Sequence, residues 1–315
     1  MRIIAASDVE AALRWDALIE RLRQAFRRGA EVPVRHHHTI ANPTGRPGGE
    51  DATLLLMPAW QRGRHIGVKI ATVFPSNADQ GLPAVMGAYL LLNGQTGVPE
   101  ALIDGPSLTL KRTAAASALA SGYLSRPDSE RLLMVGTGAL APHLILAHAS
   151  VRPIGTVLIW GRNPEKAASL AKKLNSKRLR VAHTEDLSEA ARGADIISCA
   201  TLSKEPLILG EWLQPGQHLD LVGGFTPLMR ETDDTAIQRA RVFVDTRAGA
   251  LKEAGDIVQP IESGVLDPDD VAGDLFELTR GERAGRRHYA QITLFKSVGT
   301  AIEDLAAAQL AVQQV

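Results

Sequence analysis

The run Leu132-Leu133-Met134-Val135-Gly136-Thr137-Gly138-Ala139-Leu140-Ala141 sets two glycines and an alanine at the spacing Gly-x-Gly-x-x-Ala directly after a short apolar stretch. That spacing has a physical use. The first glycine permits a tight turn out of a strand, the second lets a ligand approach the backbone, and the small third residue lets the following helix pack closely. Backbone amides at the helix N-terminus then face an anion, and a dinucleotide pyrophosphate fits them. The bare pattern is weak; a strand before it and a helix after it are the context that gives it meaning. About 25 residues after Gly136, where an acidic residue would hold the ribose hydroxyls of NAD, stands Gly161-Arg162-Asn163. A guanidinium can pair with a 2′-phosphate. The expected cofactor is therefore NADPH, with NADH possible, and Asn163 and Lys166 are placed to assist.

Two cations sit in apolar company. Lys69 lies in the strand-like run Ile66 to Val73, and Arg112 opens an Ala-rich segment. A buried cation costs several kcal/mol unless an anion partners it. Glu100, Asp104 or another internal acid could serve, and so could an anionic ligand. His36-His37-His38 suggests a metal site, but alternate side chains of a strand point to opposite faces. A local strand surface is the favoured reading, and no metal is expected. Cys199, the single cysteine, reads as a small buried hydrophobe. One cysteine excludes an internal disulfide and a cysteine-rich zinc site, which fits a reducing cytoplasm. Lys+Arg and Asp+Glu both number 35, so no global field favours nucleic acid or an acidic membrane. The start of the chain has no long apolar stretch like a signal peptide, and no run reaches the length of a membrane span.

The elements that must position these residues fall into two patterns. The 315 residues suggest about two domains. Ser7 to Ala30 reads as one helix, with Ser7 and Glu10 at capping-box spacing and Leu18, Leu22 and Phe26 on one face. Val32 to Arg35, Ala52 to Met57 and Ile66 to Val73 read as strands. Asn42 to Glu50 reads as a loop, and Tyr89-Leu92/Asn93-Gly94/Val98-Ile103 as a hairpin whose turn tolerates positive φ. The first third is thus a helix followed by a largely antiparallel sheet. From Ser107 onward, helix and strand alternate: helix Ala114 to Leu124, strand Arg131 to Val135, helix Ala139 to Ala149, strand Thr156 to Trp160, helix Pro164 to Leu174. Strands Leu179 to Ala182, Asp195 to Ala200 and His218 to Val222 follow. This rhythm predicts a parallel sheet with helices on both faces, a Rossmann α/β domain. Leu294 to Leu310 reads as a final helix. Small hydroxyl residues after the fourth strand of that sheet, Thr201 and Ser203, are placed to contact a cofactor.

The segments Leu56-Met57-Pro58-Ala59-Trp60, Gly67-Val68-Lys69 with Phe74-Pro75, Ile103-Asp104-Gly105 with Lys111-Arg112-Thr113-Ala114-Ala115, the Gly136 loop, and Leu294-Phe295-Lys296-Ser297-Val298-Gly299-Thr300-Ala301 together resemble the ornithine cyclodeaminase/mu-crystallin family over nearly the whole chain. The resemblance implies a homodimer of two-domain subunits. Residues 1–112 with 297–315 would form an α+β substrate-binding and dimerisation domain, and residues 113–296 the Rossmann NAD(P)-binding domain. It places Arg35, Lys69 and Arg112 on a substrate carboxylate, with Lys69 and Arg112 in catalytic roles. The expected cofactor contacts are Thr113, Gly136, Thr137, Gly138, Ala139, Leu140, Gly161, Arg162, Asn163, Thr201, Ser203, Val222, Gly223 and Ser297. Cyclodeaminases of the family carry an aspartate directly after a glycine pair; here Val222-Gly223-Gly224 is followed by Phe225. A phenyl ring neither accepts a proton nor pairs with a second ammonium, and a general acid/base is worth about 10²–10⁴-fold in rate. Phe225 is therefore read as a substrate contact suited to a compact ring. The expected activity is NADPH-dependent reduction of a cyclic imino acid, Δ1-pyrroline-2-carboxylate or Δ1-piperideine-2-carboxylate, to L-proline or L-pipecolate. The alternatives are an ornithine cyclodeaminase using catalytic NAD+, an amino-acid dehydrogenase with an open-chain product, and an NADPH-dependent small-ligand binding protein.

Overall fold

The apolar stripe Leu18, Leu22 and Phe26 is fully buried in the computed structural model, which describes residues 1–45 and 49–315. The chain divides into two units, Met1–Arg112 with Thr300–Val315, and Thr113–Gly299. Ser297, Val298 and Gly299 thus belong to the second unit.

The first unit is built on a six-stranded sheet. Its elements are β1 (Arg2–Ile4), α1 (Ala6–Ala12), α2 (Trp15–Arg28), β2 (His36–Ile40), β3 (Ala52–Gln61), β4 (His65–Val73), β5 (Val85–Asn93) and β6 (Pro99–Asp104). The strand order is β1-β6-β5-β4-β3-β2, antiparallel except for the β1/β6 pair. The helix α3 (Gly105–Leu124) then carries the chain into the second unit, where its sequence continues as β7 (Arg131–Val135), α4 (Leu140–Val151), β8 (Thr156–Trp160), α5 (Pro164–Leu174), β9 (Arg180–His183), α6 (Leu187–Gly193), β10 (Ile196–Cys199) and β11 (His218–Leu221). The elements α7 (Asp234–Arg239), β12 (Arg241–Val244), α8 (Arg247–Glu253), α9 (Gly255–Glu262), β13 (Gly273–Asp274), α10 (Leu275–Arg280) and β14 (Thr293–Lys296) complete it, and α11 (Ala301–Gln314) returns to the first unit. The second sheet is all parallel, in the order β13-β12-β14-β11-β10-β7-β8-β9. The α/β class with a Rossmann sheet is as expected. Its order reverses between β7 and β10, which is where a doubly wound sheet opens a crevice at its carboxyl ends.

Several local expectations are corrected. Ser7 to Ala30 is two helices, because the chain turns at Leu13 and buries that side chain fully. The cap is Asp8, which accepts the Ala5 N–H at 3.1 Å, rather than Ser7 with Glu10. Val32 to Arg35 lies outside any strand; pairing begins at His36, and only Glu31 bridges to Trp60 before it. In the β5/β6 hairpin the positive φ falls on Gly97, while the Asn93 side chain accepts the N–H groups of Gln95 and Thr96. Within the loop expected at Asn42 to Glu50, residues 46–48 lie outside the described residues. The Ala-rich helix starts at Gly105, so Arg112 sits two turns inside it rather than at its start. Leu294 to Lys296 is a strand, not the start of the last helix. All four residues of β14 are buried, and a short apolar run covered on both faces carries no periodicity to separate strand from helix.

In the first unit α11 packs on α2 and across β3, β4 and β5, and every residue from Ala301 to Ala311 is buried. In the second, Leu133, Val135, Ile197, Cys199, Leu219 and Leu221 belong to one continuous core cluster. No helix among the described residues is long and apolar enough to cross a membrane.

Two glycines of α3 give opposite expectations. A Cβ on Gly105 would fall 2.6 Å from the carbonyl carbon of Gly87, a backbone atom that cannot swing aside. Gly122, exposed near the other end, has no atom within 4 Å of the same position. Gly105→Ala lowers stability by about 1–3 kcal/mol through overpacking. Gly122→Ala raises it by about 0.4–1 kcal/mol by restricting the unfolded chain. Thermal unfolding of both variants checks the sign of each.

Candidate active site

The glycine loop leaves β7 at Gly136, whose φ of 120° is open to glycine alone. A Cβ there would lie 2.6 Å from the Ala200 carbonyl oxygen, so the loop passes hard against the end of β10. Gly138 faces open space within 4 Å of its missing Cβ. No side chain caps α4 at Ala139, and Ala141 is fully buried where the helix meets the sheet. The Ala141 N–H is taken by the Gly138 carbonyl oxygen at 3.1 Å and Pro142 has none, so a pyrophosphate at this end of α4 would meet the amides that precede them. A cleft of about 460 Å³ opens here. Gly136, Thr137, Gly138, Gly161, Arg162, Asn163, Thr201 and Ser203 line it, together with Trp160, Lys166, Ala200, Leu202 and Leu207. The volume, the open face of Gly138 and the uncapped helix fit a dinucleotide.

At the far end of the cleft Arg162 and Lys166 are exposed. The Asn163 side chain accepts the Lys166 N–H at 3.0 Å and so caps α5, which commits its oxygen to the helix. Gly161 has a reason of its own: a Cβ would meet Thr137 Cγ2 at 2.7 Å. At the β10 end, Ser203 donates its hydroxyl to the Glu205 carbonyl at 2.7 Å, and Thr201 donates both its N–H and its hydroxyl to Glu231 Oε1, at 2.7 and 2.8 Å.

The other residues expected on the cofactor lie behind or beside the cleft. Ala139 and Leu140 begin α4 without lining it, Thr113 is half-buried on α3, and Val222 and Gly223 are buried after β11. Ser297 is buried, and its hydroxyl has no partner among the described residues. Phe225 follows Gly224 (φ 57°) and is 45% exposed.

In the first unit Lys69 and Arg112 are buried as expected, and they pair with internal acids other than Glu100 and Asp104. Lys69 projects from β4 on the same side as buried Gly67 and Ala71 and is 5% exposed; so is Arg112. Lys69 Nζ lies 2.9 Å from Asp304 Oδ2, Arg112 Nε 2.9 Å from Asp304 Oδ1, and Arg112 Nη1 2.6 Å from Glu303 Oε2. Neither Glu100 nor Asp104 takes part. Glu100 pairs with His65 at 3.3 Å, and Asp104 caps α3 by accepting the Ser107 N–H at 2.8 Å. Both acids that do take part occupy the first turn of α11, where the helix dipole favours negative charge. Nothing in their local sequence marked them; only the fold brings them to β4 and α3.

Burial is the larger influence on Lys69 and lowers its ammonium; the Asp304 charge opposes it, Arg112 and Arg35 add to it, and the value settles at about 8. Burial alone would raise the Asp304 carboxyl, but Arg112 and Lys69 together outweigh it and hold the group below its ordinary range. Arg35 is half-buried in the segment before β2 and acts on Lys69 through its charge. Arg35, Lys69 and Arg112 thus share one neighbourhood, with Asp304 paired to Lys69 and both Asp304 and Glu303 paired to Arg112. Tyr89 adds a buried hydroxyl without a hydrogen-bond partner among the described residues; a Cβ on Gly67 would collide with it. Lys111, from the same motif as Arg112, turns instead to Glu10 at 2.9 Å and to the Trp15 ring at 4.5 Å. The three histidines are exposed along edge strand β2, where the His36 and His38 rings share a face at 6.2 Å between centroids.

Removing the shared acid should be costly. Asp304→Asn leaves Lys69 and Arg112 buried without their common partner and destabilises the protein by about 3–5 kcal/mol. Asp51→Asn, on the surface, changes stability by less than about 0.5 kcal/mol. Urea unfolding of the two variants makes the comparison.

The chain is similar to known proteins over its whole length. Delta(1)-pyrroline-2-carboxylate reductase of Colwellia psychrerythraea is 40% identical over 318 residues, covering all of this chain and 99% of that protein. The solved structure of Thermococcus litoralis Delta(1)-pyrroline-2-carboxylate reductase in complex with NADH and L-proline superposes with a TM-score of 0.92 at 33% identity, covering 100% of this chain and 97% of that one. An archaeal alanine dehydrogenase dimer with bound NAD gives 0.91 at 28% identity, covering 100% and 95%. The pattern of the ornithine cyclodeaminase/mu-crystallin family extends over residues 1–315, and the chain belongs to that family.

Proposed function

We propose that this protein is an NAD(P)H-dependent imine reductase that converts a cyclic imino acid, Δ1-pyrroline-2-carboxylate or its six-membered homologue, into L-proline or L-pipecolate. The observation that carries the reading is the full-length likeness to a Delta(1)-pyrroline-2-carboxylate reductase, joined to the buried cations Lys69 and Arg112 with half-buried Arg35 beside them. Bound NAD(P)H would supply the hydride to the imine carbon of a substrate that enters already protonated on nitrogen, so that the neutral ring amine and NAD(P)+ result. The protein's own residues bind and orient. Arg35, Lys69 and Arg112 take the substrate carboxylate, with Lys69 and Arg112 already held in place by Asp304 and Glu303. Two of the three donors are thus fixed before substrate arrives, so little ordering entropy opposes binding. Phe225 contributes an apolar ring at the position where a cyclodeaminase needs an acid, which favours a compact substrate without a charged tail.

Arg162 and Lys166 give the cleft two cations and support NADPH over NADH through the 2′-phosphate. The homodimer rests on the exposed edge strand β2 and on exposed apolar side chains of the same unit, Val34, Ile70, Val85 and Met86. An open edge with apolar neighbours is a surface that proteins cover.

Purified protein should oxidise NADPH on addition of Δ1-pyrroline-2-carboxylate and release no ammonia from L-ornithine; the reverse pattern would overturn the assignment. Arg162→Ala should raise the KM for NADPH by about ten- to a hundredfold, the loss of one charge-assisted contact, and leave that for NADH unchanged. Lys69 binds the carboxylate in its protonated form, which is the form below about pH 8. The KM for the imino acid should therefore rise as pH increases from 7 to 9, and a flat profile would remove Lys69 from the carboxylate site. Light scattering should give twice the monomer mass.

A further inference from the structure

Three charged side chains are fully buried directly behind the cofactor cleft, and none of them lines it. Lys296 ends β14, Asp256 is the second residue of α9, and Glu231 lies in the segment between β11 and α7; each is 0% exposed. Lys296 Nζ donates to the Gly223 carbonyl oxygen and stands 3.2 Å from Asp256 Oδ2. Asp256 Oδ1 accepts the N–H groups of Glu231 and Thr232 at 2.8 and 3.1 Å. Glu231 Oε1 in turn accepts both hydrogens of Thr201, which lines the cleft. One connected group therefore ties together the carboxyl ends of three neighbouring strands, β14, β11 and β10.

The backbone is shaped to this group. A Cβ on Gly223 would meet the Thr201 carbonyl oxygen at 2.2 Å and Glu231 Oε1 at 2.4 Å. A Cβ on Gly224 would meet Asp256 Oδ2 at 2.6 Å. No residue larger than glycine lets the two loops close on the cluster. As a stabilising device the arrangement is poor, since burying three charges costs more than an apolar core of the same volume. Buried charge of this kind gathers where geometry must be held for function.

We propose that Glu231, Asp256 and Lys296 are positioning residues for the dinucleotide, holding Thr201 and Gly223–Gly224 in the arrangement that the cofactor binds. This rests on the NAD(P)H reading above and extends it. The cluster also sets the polarity of the wall. The Thr201 hydroxyl gives its hydrogen to Glu231 and accepts the Ser203 N–H at 3.3 Å, so what it can still offer the cofactor is one acceptor lone pair, suited to a donor such as a ribose hydroxyl or the carboxamide amino group. Burial raises the Glu231 carboxyl; Lys296 opposes this and Asp256 adds to it, leaving it at about 7. Below that value the carboxyl is neutral and grips Thr201 less firmly; above it the carboxylate accepts both hydrogens strongly.

The test is NADPH binding to the full chain without substrate, followed by nucleotide fluorescence from pH 6 to 9. In the wild type, affinity should increase severalfold as pH rises through about 7. Glu231→Ala should weaken binding tenfold or more. Glu231→Gln, which retains an acceptor for Thr201, should recover most of that loss but show no pH dependence near 7. Thr201→Val removes only the hydroxyl at the cleft wall and should weaken binding three- to tenfold, which keeps the test open if Glu231→Ala does not fold. Wild-type binding with Glu231→Gln and Thr201→Val both unaltered, or a wild-type affinity flat across pH 7, overturns the positioning role alone. Wild-type protein that binds neither NADPH nor NADH overturns the cofactor reading and this proposal together.

Discussion

Two carboxylates at the start of α11 neutralise cations that the rest of the first unit would otherwise bury alone. Arg112 and Asp304 are 192 residues apart in sequence and 2.9 Å apart in space. A lone charge in such surroundings is too costly to keep, so Lys69, Arg112, Glu303 and Asp304 are stable only as a set. The set explains why the chain returns to its first unit after completing the second. Without α11, β4 and α3 would each present an unpaired buried cation. The remainder of α11 is alanine-rich, with Gln309 a buried polar side chain that donates to Gln61 at 3.1 Å, as suits a helix covered along almost its whole length.

The same economy governs the second unit. Its cleft lies where the strand order of a parallel sheet reverses, and strand ends there present unpaired backbone groups that a ligand can satisfy. Gly136 and Gly138 solve different problems: one allows the loop to pass close to Ala200, the other leaves room. Behind the cleft lies a second charged set, Glu231, Asp256 and Lys296. Both units thus bury a set of charged side chains, Lys69, Arg112, Glu303 and Asp304 in the first and Glu231, Asp256 and Lys296 in the second.

The glycine loop, the parallel sheet and the cleft-facing run from Gly161 to Asn163 were legible in sequence because each is local: turn chemistry, alternation and strand ends need only neighbouring residues. Ala139, Leu140, Val222 and Gly223 were placed on the cofactor by proximity in sequence, yet they do not line the cleft. Leu207 lines it with no local signal. The strand at Leu294 was hidden because full burial on two faces erases periodicity. The break at Leu13 escaped notice because it serves a contact made by that side chain in the core, not a turn signal.

What the sequence determined by itself was the class of fold, the glycine loop and the burial of Lys69 and Arg112, since glycine spacing and charge in an apolar run carry their reasons with them. Partners were a different matter. Glu100 and Asp104 were the nearby candidates for Lys69 and Arg112, and the protein used Glu303 and Asp304 instead. Glu231, Asp256 and Lys296 gave no sign that they belong together. An ion pair is decided by distance and by exclusion of water, and both are properties of the packed chain, fixed only when distant segments meet.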